Sequence, residues 1–303
     1  MQGIWAVIGR TFSDWYEDRA PRLGAALAYY TVFALAPSLV IVIGIAGLAL
    51  GRETAQAQIL EQIRDLVGEQ GAHTVEATIE NAQDLKASVA AIGLGLVTLV
   101  FGLWGVFGEL QDGLNTIWGV APKPGRGILG VLKDRFWSFA LVVGVGFVLL
   151  VSLALSAWLT MLGTYFGELL PLPTVLLEAI NFVISLAVIT VLFALTFKLL
   201  PDVEVAWRNV WLGAAVTSLL FTVGKLLIGL YLGKSGVASV FGAAGSLVVI
   251  LVWVYYSAQI LYLGVEFTKV WTRWRGGGFV AEETAALVTA EARAEQGMGQ
   301  KAS

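Results

Sequence analysis

The chain has 303 residues, 57% of them hydrophobic and only 14% charged; 19 Lys+Arg stand against 22 Asp+Glu, for a formal net charge of −3. Ordinary soluble domains are about 45–50% apolar and about 25% charged, so a soluble enzyme or binding domain of this composition would expose apolar patches that monomers avoid. The near-neutral charge argues against a nucleic-acid binder, and the absence of cysteine removes thiol nucleophiles, thiolate metal sites and a disulfide scaffold. A polytopic membrane protein remains.

The N-terminus does not read as a signal peptide, because no cationic start leads into an apolar run and a small-residue cleavage site. Ile4, Ile8, Phe12 and Trp15 recur instead at helical spacing, with Arg10, Ser13, Asp14, Glu17 and Asp18 on other faces. That pattern fits an amphipathic helix lying in the membrane interface, or a cap helix packed on a bundle.

Six long stretches carry no Asp, Glu, Lys or Arg: 23–51, 87–108, 136–167, 179–197, 209–224 and 235–265. A helix needs about 20 apolar residues to cross a bilayer, and the short fifth stretch reaches that length by continuing past Lys225 to Leu232. No period-2 alternation runs through them, so they are helices and not barrel strands. The predicted architecture is all-α, with a 1–275 transmembrane domain whose six spans cover about 25–50, 88–118, 136–162, 177–198, 209–232 and 243–267. Pro37 removes a backbone donor in the first span, so a kink is expected there. Segment 52–87 lies outside the membrane, with helical spacing at Ile59, Ile63, Leu66 and Val67, then Val75 and Ile79; a break is expected at Gly68–Gly71. The tail, 276–303, is Ala/Glu-rich and predicted to be disordered beyond a frayed helix at about 281–295.

Orientation follows from Lys and Arg placement. Lys123, Arg126, Lys133 and Arg135 cluster between the second and third spans, and Lys269, Arg273 and Arg275 follow the last one. Segment 52–88 is acidic on balance, and 168–178 holds Glu168 and Glu178 without a base. Both termini are therefore expected in the cytoplasm. Trp118, Trp137, Trp207, Trp211, Trp271 and Trp274 fall near the same side, where indoles anchor in the headgroup layer.

Ionisable residues at membrane depth are costly, and they mark candidate functional positions. Glu109, Asp112 and Asn115 or Thr116 lie three to four apart on one face of the second span, beside a strip of Gly102, Gly105 and Gly108. They fit a polar cavity wall, or a helix end already in water. Tyr255, Gln259, Tyr262 and Glu266 form one stripe on the sixth span, fit for a pathway or for interhelical hydrogen bonds. Tyr29 and Tyr30 sit on the first span in the same inner half of the bilayer. A cytoplasm-open polar vestibule is expected, lined by Tyr29, Tyr30, Glu109, Asp112, Asn115, Tyr255, Gln259 and Glu266. Arg19, Arg22, Lys198, Arg208 and Lys269 form its basic rim. Lys225 is expected to snorkel to the outer headgroups, or to contact an anionic ligand.

His73 is the only histidine, and it falls in the outer segment. A zinc site, an H-E-x-x-H motif, a G-x-S-x-G elbow and a phosphate-binding loop are all missing, so no metal, no cofactor and no ATP-driven pump are expected. Glu109 and Asp112 could act as a paired acid and base, but no nucleophile accompanies them, and no enzyme activity is expected.

Several stretches resemble the YihY/BrkB family. They are 18–37 (DRAPRLGAALAYYTVFALAP), 105–118 (GVFGELQDGLNTIW), 199–204 (LLPDVE) and 229–249, continuing through 253–259 and 264–268. The resemblance covers roughly residues 10–275. It implies a bacterial inner-membrane protein with six transmembrane helices, in a family linked to virulence and to transport of envelope lipid or lipopolysaccharide precursors. The family also carries an old label, ribonuclease BN. A nuclease is not expected here, because the cytoplasmic loops are short and lack metal ligands and a basic, aromatic-interleaved surface. A transporter or flippase of an amphiphilic, lipid-like substrate is the leading expectation; a non-transporting envelope scaffold is the alternative. Membrane lipids are the expected partners, together with envelope-transport proteins docking on 52–88; no nucleic acid is.

Overall fold

A computed structural model describes residues 3–83, 89–123, 174–235 and 245–295. In chain order the elements are α1 (Ile4–Glu17), α2 (Ala20–Leu50), α3 (Arg52–Gln83), α4 (Val89–Trp118), β1 (Val120–Pro122), α5 (Thr174–Leu199), β2 (Val203–Glu204), α6 (Trp207–Ser235), α7 (Gly245–Trp274), β3 (Val280–Ala281), β4 (Ala285–Leu287) and α8 (Ala290–Glu295). The chain divides into two compact units: a first of residues 1–13, 114–220 and 264–303, and a second of residues 14–113 and 221–263. The helices α1, α4, α6 and α7 each give residues to both.

Helices form on five of the six expected spans. The third span, 136–162, lies outside the described residues. Among the described residues, three helical stretches are long and apolar enough to cross a membrane: Phe182–Leu199, Trp207–Leu232 and Leu247–Trp274. At 1.5 Å rise per residue, the last is about 42 Å long, more than the hydrocarbon core of a bilayer. The α2 helix is continuous through Pro37. It starts behind Arg19, whose left-handed backbone (φ 55°) makes the sharp turn from α1, and Pro21 sits in its first turn, where the missing N–H costs no helical bond.

The α1 helix presents two unlike faces. Val7, Thr11 and Asp14 are buried, while Ile4, Trp5, Ile8, Phe12 and Tyr16 are exposed. Trp15, expected on the apolar stripe, is only partly exposed, and Tyr16 takes its place. The buried polar face and exposed apolar face suit a helix that packs on protein on one side and on lipid on the other.

Within the second unit, α2 and α3 form one apolar cluster of Ile43, Leu60, Val75 and Ile79, flanked by Leu35, Leu39, Ile59 and Ile63. The expected break at Gly68–Gly71 does not occur: α3 runs unbroken from Arg52 to Gln83. Each interior glycine costs a helix about 1 kcal/mol, and burial of the flanking apolar residues against α2 offsets it. His73 is exposed on this helix, 3.5 Å from Glu76. A second cluster in the same unit joins Ile228, Leu232 and Val249, with Val252, Trp253 and Tyr256 packed against it.

Within the first unit, α6 and α7 cross through reciprocal glycine contacts. A methyl added at Gly213 would collide with Thr268, and one added at Gly264 would collide with Thr217. Both threonine hydroxyls donate within their own helices, Thr217 to the Gly213 carbonyl and Thr268 to the Gly264 carbonyl, each at 2.7 Å. No hydroxyl is left exposed to an apolar neighbour, and the backbones approach closely, as small residues permit in membrane helices.

The expectation of a disordered tail is corrected over 279–295. β4 pairs antiparallel with β1, in the register Val120↔Leu287, Ala121↔Ala286 and Pro122↔Ala285. β3 pairs antiparallel with β2, Val203↔Ala281 and Glu204↔Val280. Lys123 donates from its ammonium to the Glu283 carbonyl, and Arg293 on α8 is buried. The tail is ordered because its short strands satisfy backbone groups of the turns after α4 and α5. Residues 296–303 lie outside the described residues.

Candidate functional site

Two polar groupings stand out, one in each unit. In the second unit, three helices bring polar residues together. α2 contributes Arg22 and Gly24, α4 contributes Glu109, Asp112 and Gly113, and α7 contributes Gln259 and Tyr262. The helix contacts are glycine contacts. A methyl at Gly24 would collide with the Gln259 amide nitrogen, and one at Gly113 would lie 2.5 Å from the Tyr262 hydroxyl. Further along the α2–α4 contact, Gly105 faces the Tyr30 ring and Gly102 faces Ala34. Gly102 and Gly105 of the small-residue strip read from the sequence thus face α2.

The charges in this grouping act on one another. Glu109 lies close enough to Asp112 and to Arg22 to feel both, and the Tyr262 hydroxyl feels both carboxylates. Arg22 and Asp112 are exposed, Glu109 and Gln259 partly so, and Tyr262 is 0% exposed. The grouping therefore grades from an exposed charged mouth to a buried phenol. The Tyr262 hydroxyl and both polar atoms of the Gln259 amide are buried and have no hydrogen-bond partner among the described residues. Buried groups of this kind cost about 1–3 kcal/mol each when unsatisfied, so they are features to be explained.

In the first unit the buried charges of α7 are paired within the protein, although the Trp118 indole N–H has no hydrogen-bond partner among the described residues. Glu266 and Lys269, both 0% exposed, form an ion pair at 2.5 Å on adjacent turns of α7. The Lys269 ammonium also donates to the Ile117 carbonyl at 2.7 Å. That carbonyl belongs to the last turn of α4, where acceptors lack helical partners and the helix dipole favours a cation. Gly119, with φ 73°, ends the helix just beyond. Asn115 donates to the Asp202 carboxylate at 3.0 Å and accepts from the Asp202 backbone N–H at 2.8 Å. The Asp202 carbonyl in turn accepts from the Glu282 N–H of the tail.

The residues expected to line one vestibule thus separate. Tyr30, Glu109, Asp112 and Gln259 come together in the second unit. Tyr29 and Tyr255 are exposed, 57% and 37% respectively, because each lies on the outward side of its helix. Asn115 and Glu266 are held by Asp202 and Lys269. Of the expected basic rim, Arg19, Arg22 and Arg208 are exposed. Lys269 is corrected from a rim residue to a buried helix cap, drawn in by Glu266 and the orphan carbonyl of α4. Lys198 donates to the Val205 carbonyl at 2.9 Å and closes the turn between α5 and α6. Lys225 is partly buried on α6. Sequence reasoning placed Tyr262 on the stripe but not among the site candidates, and it missed Gly24, Gly113 and Asp202. The i, i+3 spacing of Gln259 and Tyr262 was the available signal for the tyrosine.

Long apolar helices with glycine-mediated crossings and buried polar groups define a helical membrane protein. The family described as "Virulence factor BrkB" matches residues 11–287, and the chain belongs to it. It is similar to a "UPF0761 membrane protein" of Halorhodospira halophila, 26% identical over 280 residues, covering 90% of this chain and 59% of that protein. A protein of the same name from Tolumonas auensis is 26% identical over 285 residues, covering 90% of this chain and 89% of that one. Another from Pseudomonas aeruginosa is 26% identical over 270 residues, covering 84% and 62%. The chain thus spans less than two thirds of two of these three relatives. No solved structure matches it.

Proposed function

We propose that this chain is a transporter or flippase that moves an amphiphilic, lipid-like molecule, with the headgroup passing along Arg22, Glu109, Asp112, Gln259 and Tyr262. The observation that carries the reading is the partnerless Tyr262 hydroxyl and Gln259 amide beside two carboxylates in a membrane chain. Unsatisfied polar groups are expensive where lipid replaces water. A passing headgroup supplies the missing partners. The glycine contacts of α4 with α2 and of α4 with α7 offer faces that can part and reclose with little side-chain repacking. In this reading the protein sits in the bacterial inner membrane with both termini in the cytoplasm, the polar mouth opens to the cytoplasm, and no chemistry is performed on the substrate. Envelope partners would dock on α3.

Reconstitution tests it. Purified protein in liposomes is expected to accelerate exchange of acyl-labelled fluorescent phospholipid between leaflets. If no lipid moves, with or without a pH gradient, the transport reading fails. A scaffold reading draws on one observation, the buried Glu266–Lys269 ion pair and the Asn115–Asp202 hydrogen bonds, which hold protein to protein. It calls for Glu109→Gln to leave envelope phenotypes intact, whereas transport calls for their loss.

A further inference from the structure

The geometry points to a zwitterionic headgroup bearing a primary ammonium as the ligand of the α2–α4–α7 grouping in the second unit. The inference rests on the transport reading and narrows its substrate class. Its basis is the mixture of charges and hydrogen-bonding types. Glu109 and Asp112 are acceptors carrying negative charge. Arg22 is a donor carrying positive charge, near Glu109 but in no ion pair with it. Gln259 offers a carbonyl acceptor and an NH2 donor, and Tyr262 one hydroxyl; within this grouping, these buried groups have no hydrogen-bond partner among the described residues.

A bare metal cation would satisfy the carboxylates and leave the donors idle. A purely anionic headgroup would satisfy Arg22 and the donors and be repelled by the acids. A headgroup with an ammonium a few bonds from a phosphate uses both sets. The ammonium, with three N–H donors, binds the carboxylates and the Gln259 carbonyl oxygen; the phosphate accepts from Arg22, the Gln259 amide nitrogen and the Tyr262 hydroxyl. A quaternary ammonium has no N–H to give and is recognised by aromatic faces, so a choline headgroup loses the acidic contacts. The gradient of exposure sets the approach: Arg22 and Asp112 at the exposed mouth, Tyr262 at the buried end.

The test measures movement and binding separately. Acyl-labelled phosphatidylethanolamine, phosphatidylcholine and phosphatidylglycerol are compared in liposomes containing the purified full chain. Retention of the same three lipids is read by native mass spectrometry of the detergent-solubilised protein. The ethanolamine lipid is expected to be retained and moved roughly tenfold better than the other two, the factor set by one charge-assisted hydrogen bond. Glu109→Gln with Asp112→Asn is expected to abolish that preference. Tyr262→Phe, which keeps the packing volume, is expected to weaken retention of all three lipids. Equal movement of the three lipids, unchanged by neutralising the acids, overturns the headgroup assignment and leaves the transport reading standing. Selective retention without movement of any lipid keeps the headgroup site and sinks transport. Absence of selective retention in a folded protein, judged by an unshifted melting temperature, overturns the site itself.

Discussion

The Glu266–Lys269 pair of the first unit and the Gln259–Tyr262 grouping of the second handle buried polarity differently. In the first, Glu266 and Lys269 are fully buried and paired with each other, and the ammonium also caps α4 through Ile117. In the second, Tyr262 is just as buried, but its hydroxyl and the Gln259 amide have no partner among the described residues. A buried ion pair whose partners lie within the protein holds one arrangement of helices. An unsaturated grouping is ready to accept a group from outside. The contrast teaches that stripe and spacing find polar residues at membrane depth, while only the partners decide which of them are structural.

The largest effect is expected at the buried Glu266–Lys269 ion pair. Lys269→Ala strands a buried carboxylate and uncaps α4, and breaking such a pair costs about 3–5 kcal/mol. Thermal unfolding in detergent should show a large drop in melting temperature. The double replacement Lys269→Met with Glu266→Leu should recover most of it, because an apolar pair of similar volume is often neutral in a protein interior. A double variant as unstable as the single one would show that the ammonium's bond to Ile117, not the ion pair, dominates.

Next comes the Asn115–Asp202 bridge. Asn115→Ala leaves the Asp202 carboxylate and its N–H short of partners at once, a loss of about 3 kcal/mol when both are buried. Asp202 also anchors Glu282 of the tail. Limited proteolysis should therefore cut the 276–295 segment faster in Asn115→Ala than in the parent. Equal cutting rates would separate the tail from the bridge.

A smaller effect is expected at the α6–α7 crossing of the first unit. Gly264→Ala drives a methyl into Thr217, and overpacking of this size costs about 1–2 kcal/mol. Thr217→Ala in the same chain should restore the melting temperature by removing the colliding atoms. Failure of that rescue would place the strain in the backbone of α7.

The helices were legible because lipid imposes a strong, local rule: a stretch free of charge and long enough to cross must be helical. Gly102 and Gly105 of the α4 strip and the Gln259–Tyr262 stripe were legible for a related reason, since helical spacing fixes which residues share a face. Partner choice was not. Lys269 belongs with snorkelling lysines by position; Glu266 one turn away and the Ile117 carbonyl of α4, supplied from far along the chain, draw it inside. Asn115 and Asp202 are likewise distant in sequence, so no local pattern announces their bond. The tail strands escaped because Val280–Ala281 and Ala285–Leu287 are too short to show alternation, and Ala- and Glu-rich composition favours reading a helix or coil. Gly68 and Gly71 misled in the opposite sense: a glycine signals a break only when no burial compensates it.

The smallest expected stability change is the most informative about the second unit. Tyr262→Phe deletes a buried hydroxyl that has no partner among the described residues, and keeps the ring packed against Gly113. Removing an unsatisfied polar group relieves a desolvation cost, so the variant is expected to be as stable as the parent or more stable by up to ~1 kcal/mol. Lipid movement should nonetheless fall, because a donor for the passing headgroup has gone. Stability rising while movement falls is the signature of a residue kept for function at the expense of packing. Stability falling together with movement would instead mean that the hydroxyl is already bonded within the folded protein, and the contrast between the two units would then disappear.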